Sequence, residues 1–254
     1  MKHLPLLGRL LPVLALVALT VGLGSTGADA AGTARTCAHP RFVTSDPNGG
    51  TTMGRYYVHN NMWNASSYPV SETLKACSAG NWYVRAKANN SSGDGAVKTY
   101  PNVHRDYNDP RLSAFKGIKS TFASRSPHVG IYDGAYDIWM NGIASSGSTE
   151  VMIWTDNFHQ YPSGDVVQRG LRFSHRTWRL FATGDHGYLA FVPNHPLHHG
   201  TISLKKRLSY LVSHGYLRHG STIGQICFGY EIVSTDGAFH RFKIDRFSIT
   251  QRHR

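Results

Sequence analysis

Thr149-Glu150-Val151-Met152-Ile153-Trp154 places one carboxylate inside a run of β-branched, apolar and aromatic residues. An extended chain sends successive side chains to opposite faces, so Glu150, Met152 and Trp154 point one way and Thr149, Val151 and Ile153 the other. The second set reads as core. The first combines an acid with a large aromatic. The same grammar recurs in Phe228-Gly229-Tyr230-Glu231-Ile232-Val233, where Phe228, Tyr230 and Ile232 point inward while Glu231 shares the opposite face with Gly229 and Val233. Glycine beside an acid on a strand suggests room for a ligand.

Outward from these two runs, the chain from Arg55 to Thr250 keeps to short apolar and β-branched segments broken by Gly, Pro, Asn and Ser, an all-β pattern. Strands are expected at Trp82 to Lys87, His128 to Tyr132, Tyr136 to Met140, Thr149 to Trp154, Thr177 to Phe181, Tyr188 to Val192, Ile226 to Val233 and Arg241 to Ile249. One segment differs. Leu204, Leu208, Leu211 and Val212 fall on one helical face, with Ser203 placed to cap the start and Gly215 the end. Lys205, Lys206 and Ser209 would then face water while the apolar stripe packs against the outside of a sheet. Many strands and a single amphipathic helix predict a two-sheet antiparallel β-jelly-roll sandwich.

Lys2 and Arg9, the apolar run from Leu10 to Leu23 and the small-x-small triplet Ala28-Asp29-Ala30 read as an export signal over residues 1–30. Residues 31–254 would then form one secreted, monomeric catalytic domain with no membrane span. Three cysteines in an exported chain allow one disulfide. Cys37 and Cys77 flank the first strand region and are the expected pair; Cys227, in an apolar run, reads as a buried small residue. Cysteines two to four residues apart, as a zinc site would want, do not occur, and no metal or cofactor is expected. A metal role for His195, His198 and His199 lacks an evident carboxylate partner. The formal charge is +12, and +11 without the signal. Such a balance suits either an anionic cell-wall surface as partner or a merely solvated face, the densest cluster, Lys205-Lys206-Arg207, falling to the polar side of the helix, with no specific nucleic acid implied.

The chain holds only three glutamates, Glu72, Glu150 and Glu231. Glu72 sits beside Pro69 and Ser71 in what reads as a polar loop. The other two lie in half-buried strands, where carboxylates are costly unless paired or facing a cleft. Glycosidic hydrolysis needs two carboxyl groups, one to protonate the leaving oxygen and one to attack the anomeric carbon or activate water. Glu150 and Glu231 meet that need. Asp137, in Tyr136-Asp137-Ile138-Trp139, is a third strand acid, on the face of Trp139, placed to hold or tune a catalytic carboxylate. The competing readings are structural acids paired with Arg or Lys, or a non-catalytic carbohydrate-binding or cell-wall-associated sandwich in which Trp63, Trp139 and Trp154 grip glycan.

At these residues the sequence resembles glycoside hydrolase family 12, the endoglucanase and xyloglucanase family. Asn60-Asn61-Met62-Trp63 is similar to its Asn-Asn-x-Trp segment, Tyr100-Pro101-Asn102-Val103 to its Tyr-Pro-x-Val stretch and Tyr136-Asp137-Ile138-Trp139 to its Tyr-Asp-Ile-Trp strand. Glu150-Val151-Met152-Ile153-Trp154 resembles the strand that carries the family nucleophile, followed by Pro162 and Gly164 of a Pro-x-Gly loop. Trp178 resembles the tryptophan of a Thr-Trp strand, the helix after Thr201 falls where the family has its single helix, and Phe228-Gly229-Tyr230-Glu231 resembles the strand bearing the acid/base. The resemblance implies a jelly roll and a retaining endo-β-1,4-glucanase, with Glu150 as nucleophile, Glu231 as acid/base and Asp137 in support. Asn61, Trp63, Trp139, Met152 and Trp154 are its implied substrate-binding residues. Val233 stands where the family usually carries an aromatic, which removes one stacking surface near the cut.

Overall fold

The computed structural model describes residues 37–254; the export signal expected over 1–30 lies outside the described residues. In chain order the strands are β1 (Phe42–Thr44), β2 (Gly50–Met53), β3 (Tyr56–His59), β4 (Val70–Ser78), β5 (Asn81–Ala88), β6 (Asn102–Asp106), β7 (Phe115–Arg125) and β8 (Ile131–Met140). They continue with β9 (Thr149–Phe158), β10 (Asp165–Phe173), β11 (Arg176–Ala182), β12 (Tyr188–Pro193), β13 (His199–Ser203), β14 (Ile223–Ser234) and β15 (His240–His253). Helix α1 (Leu204–Ser213) follows β13. A six-stranded sheet in the order β1-β4-β5-β15-β7-β13 stacks on a nine-stranded sheet in the order β10-β11-β12-β9-β8-β14-β6-β3-β2. This is the expected sandwich, with one pairing of the opposite sense: β12 runs parallel to β9.

Alternation assigns the core. Trp82, Val84 and Phe242 from the smaller sheet meet Tyr136, Ile138, Val151, Ile153, Phe228, Tyr230 and Ile232 from the larger, all at most 1% exposed. Phe122, Tyr136, Phe228 and Phe247 form one set of ring contacts across the layers. Each such side chain contributes about 1.5–3 kcal/mol by leaving water.

Four local expectations are corrected. The segments expected at His128 to Tyr132 and at Tyr136 to Met140 are one strand, β8, which starts at Ile131. Gly134 does not break it; a Cβ there would meet the Tyr230 ring at 2.9 Å, so the glycine admits a core aromatic. Glu72 is not in a polar loop but in β4, turned inward at 3% exposure, where it accepts a hydrogen bond from Thr99. Helix α1 does not lie on the outside of a sheet. Leu204, Leu208 and Leu211 enter the central core, and Tyr210 meets Phe173 and Phe191, so the helix covers the inner face of β10 to β12 beyond the end of the smaller sheet. Finally, Arg207 is not on the polar side of that helix. It is 2% exposed, with its guanidinium 4.2 Å from the Trp178 ring centre and 4.7 Å from that of Phe173.

Gly215 ends the helix with φ +77°, as expected of the residue after a C-cap, whereas Ser203 gives no side-chain cap. Cys37 and Cys77 are joined, tying the first described residue to β4, and Cys227 is free and buried. Closing a loop of 40 residues restricts the unfolded chain, so Cys37→Ser/Cys77→Ser is expected to lose about 2–4 kcal/mol of stability. Urea unfolding measures it; an unmoved midpoint would show that the cross-link adds nothing.

Candidate active site

The outward face of the larger sheet carries the acids. On β8 the outward positions are Asp133, Ala135, Asp137 and Trp139. Neighbouring β9 sets Glu150 opposite Trp139 and Met152 opposite Asp137, while β14 sets Glu231 opposite Asp133 and Cys227 opposite Asp137. A register shift between Gly134 and Ala135 interrupts the β8–β9 ladder at this place; such irregularities often re-aim side chains beside a site.

This face is not open like the outside of a flat sheet. Ala135, Met152, Trp154, Ala190 and Val192 form a second apolar cluster on it, none more than 3% exposed, with Phe181 and Tyr188 packed alongside. Outward residues so enclosed form the floor of a depression. Trp154 is therefore not the open stacking platform its strand position suggested: it is 1% exposed and its Nε1 lies 3.4 Å from Met152 Sδ. Met152 also receives the Tyr188 hydroxyl at 3.1 Å. Trp139 is half-buried and Trp63 is 56% exposed, so these two keep indole surface available. Asn61 spends its amide on the loop itself, donating to the Tyr100 carbonyl at 3.1 Å.

Gly229 also has a different reason. A Cβ there would lie 2.1 Å from the Pro101 carbonyl oxygen and 2.8 Å from Asn102 Cα. The space belongs to the chain's own backbone, not to a ligand, and it lets the 99–102 segment press close to the acids. Tyr100, from that segment, is 4% exposed and donates its hydroxyl to the Ala135 carbonyl at 3.2 Å.

Burial governs the electrostatics. Asp133 and Asp137 are 0% and 6% exposed; Glu150 and Glu231 keep partial solvent access. Desolvation, and then the charge of Glu231, push Glu150 up to about 8. Asp137 is held well above the usual carboxylate range by burial and then by Glu150 and Glu231, and Trp139 alone eases it by a hydrogen bond. Asp133 is raised well above that range by burial and then by Glu231. Burial raises Glu231 too, against a hydrogen bond with Asp133. Both Asp133 oxygens have no N–H or O–H donor, so a bond between these two carboxyls requires a shared proton, which a raised Asp133 supplies. Among the described residues, none of the four acids forms an ion pair with a cation. The reading of Glu150 and Glu231 as structural acids neutralised by Arg or Lys finds no support here.

Sequence reasoning missed Asp133. Its signal was the spacing Asp133, Ala135, Asp137, Trp139 along one strand, which is legible only if Gly134 is read as strand rather than as a break. Tyr188 was missed too, although it feels all four acids: burial and their charges push its hydroxyl far up. The His195 to His199 segment has one carboxylate contact not expected, His198 Nδ1 to Asp156 at 4.0 Å. Among the described residues no cluster of three or more His, Cys, Asp or Glu is arranged to hold a metal ion.

Two partly accessible glutamates beside an enclosed apolar cluster, on the outward face of a β-sandwich, suit the two-carboxyl chemistry of the glycoside-cleaving class. The chain belongs to glycosyl hydrolase family 12, whose model matches residues 54–251. It is 24% identical over 212 residues to endoglucanase S of Pectobacterium parmentieri, covering 72% of this chain and 78% of that protein. It is 29% identical over 114 residues to a probable xyloglucan-specific endo-β-1,4-glucanase A of Neosartorya fischeri, covering 43% of this chain and 48% of that one. The native family 12 xyloglucanase of Bacillus licheniformis shares the fold with TM-score 0.74 at 20% identity, over 83% of this chain and all of that one. Endoglucanase cel12A of Rhodothermus marinus does so with TM-score 0.73 at 22% identity, over 84% and 100%.

Raised carboxyl pKa values mean that the folded protein keeps protons the unfolded chain has released. The acids' contribution to stability is then fully present below the ordinary carboxylate range and is lost as pH climbs toward about 8 for Glu150. Thermal unfolding midpoints should accordingly fall between about pH 5 and pH 8. Glu150→Gln should flatten that slope and melt roughly 2–5 °C higher at the alkaline end. Identical slopes for the two proteins would contradict the burial argument.

Proposed function

We propose that the chain is an exported, endo-acting hydrolase of β-1,4-linked glucan that works by retaining double displacement. Glu150 attacks the anomeric carbon, while Glu231 protonates the leaving sugar and then deprotonates the water that releases the glycosyl-enzyme. The observation that carries this reading is the placement of two glutamates on the strands flanking β8, facing one depression, each within reach of the other's charge and neither neutralised by a cation. Such a pair gives up its first proton well before its second. Over the span between, the pair is one carboxylate and one carboxylic acid, and the attacking state is the one in which the retained proton sits on Glu231 and Glu150 is ionised.

Asp137 acts on Glu150 through charge, and Asp133 on Glu231 through the shared proton. Both are positioning groups. Trp63 and Trp139 offer ring faces on which the apolar side of a pyranose can stack. Val233 is fully buried and offers none. The relatives include both endoglucanases and xyloglucan-specific enzymes, and a depression with fewer rings near the cut suits a polymer held through many contacts along its length rather than by one clamp.

Retention predicts that proton NMR of a digest of soluble β-1,4-glucan shows the β-anomer first; an initial α-anomer would require inversion and reverse the assignment. Glu150→Gln should lower kcat by about 10³-fold or more on every substrate. Glu231→Gln should be as slow on glucan yet release a rapid burst of aryl group from an aryl glycoside whose leaving group needs no protonation, with slow turnover afterwards because water still lacks its base. Wild-type protein that binds glucan but releases no reducing sugar would instead support a non-catalytic carbohydrate-binding sandwich.

Export is part of the same proposal. N-terminal sequencing of protein recovered from the medium should begin near Ala31, and recovery of the intact N-terminus inside the cells would refute it.

A further inference from the structure

The opposite side of the sandwich has the opposite charge. The strands of the six-stranded sheet carry ten Lys and Arg residues and two carboxylates. Of those two, Glu72 faces the core, leaving Asp245 as the acid on the outer face. The cations sit in adjacent register: Arg85 lies opposite Arg241, and Lys243 opposite Arg125. Asp245 bridges Lys243 and Arg125, but among the described residues no carboxylate bridges Arg85 and Arg241, and like charges set opposite one another destabilise a sheet. An anionic polymer lying along the face would relieve that repulsion.

The face is also built to hold cations in place. The Arg241 guanidinium lies 4.5 Å from the centre of the Tyr83 ring, and Arg85 and Lys87 lie 4.6 and 5.3 Å from that of Phe239. Between them and the first described residues is a cavity of about 490 Å³, lined by Tyr83, Arg125, Ser126, Arg241 and Lys243 with Cys37 and Ala38. Its rim already receives one carboxylate: Asp245 accepts from Arg125 Nε at 2.7 Å and Nη2 at 2.9 Å, and from Lys243 at 2.6 Å. That paired geometry is the fork that suits a carboxylate.

From this we infer that the outer face of the six-stranded sheet is a docking surface for a uronic-acid polysaccharide, which holds the protein while the acidic depression on the far side meets neutral glucan. The polarity of the molecule sorts the two polymers. A chain of carboxylates finds no cation paired with the four acids of one face and is attracted by the other. A carboxylate is the anion this face already holds, with Asp245 on the Arg125 fork and on Lys243. The inference does not depend on hydrolysis, since a protein that failed to cut glucan would still be retained.

The test is co-sedimentation of the full exported chain with insoluble polygalacturonate, measured alongside the rate on soluble neutral β-glucan. In about 20 mM NaCl the wild type should be retained, and about 0.5 M should release it. Arg85→Gln/Arg241→Gln should bind at least about tenfold more weakly, with a melting temperature no lower than that of the wild type and hydrolysis of neutral glucan within about twofold of wild type. Should that variant fail to fold, methyl-esterified polygalacturonate makes the same test from the polymer's side, and retention must fall as its carboxylates are capped. The inference is overturned by no retention at low salt, by retention indifferent to the substitutions or to esterification, or by tighter binding of duplex DNA or a poly(glycerol phosphate) at equal charge.

Discussion

Four carboxyl groups share one face of one sheet with no cation paired to any of them among the described residues, and the rest of the molecule is arranged to keep them there. Each alone would be expelled or neutralised by the cost of leaving water. Together they add mutual repulsion, so protons are retained to values where free carboxylates have lost them. That retention is what the proposed hydrolytic pair needs, and it costs stability at neutral pH. The underside of the same three strands offsets the cost: Tyr136, Ile138, Val151, Ile153, Phe228, Tyr230 and Ile232 are buried against the smaller sheet. Every second residue of β8, β9 and β14 contributes to the core, and those between carry the chemistry.

Backbone packing places the lining as much as side chains do. Because Gly229 lets Pro101 and Asn102 pass within contact distance, Tyr100 reaches Ala135 and closes one side of the acidic group. Because Met152, Trp154 and the flanking β12 residues pack together on the outward face, the floor is apolar and the effective dielectric low, which strengthens each interaction among the acids. Helix α1 performs a related task at the far end, where the smaller sheet stops and Arg207 lays its guanidinium on Trp178.

The two outer faces divide the charge of the protein. Lys and Arg gather on the smaller sheet, and the acids gather in the depression of the larger. A net charge of +12 therefore describes neither surface. Read as a single number it suggests a general affinity for anions; read by face it places most of the sheet-borne cations on the side away from the four acids.

Strand periodicity is local, and it was legible. The alternation in Thr149 to Trp154 and in Phe228 to Val233 placed the core residues and both glutamates on their correct faces, and the spacing of leucines marked the helix. The position of Cys227 within an apolar run pointed to Cys37 and Cys77 as the disulfide pair. Register between strands is not local. That Asp133 stands opposite Glu231 depends on the pairing of β8 with β14, whose residues are about a hundred positions apart, and no window of sequence contains both. The same limit explains Glu72, whose polar neighbours hide an inward-facing side chain, and Gly229, whose reason lies in a segment far away in the chain. It also explains Trp154, which has the alternation of a surface residue but is covered by β12. Amino-acid order determined which side chains could share a face; only the packing of distant strands decided which of them meet, because contact across a sheet is set by register and enclosure rather than by spacing along one strand.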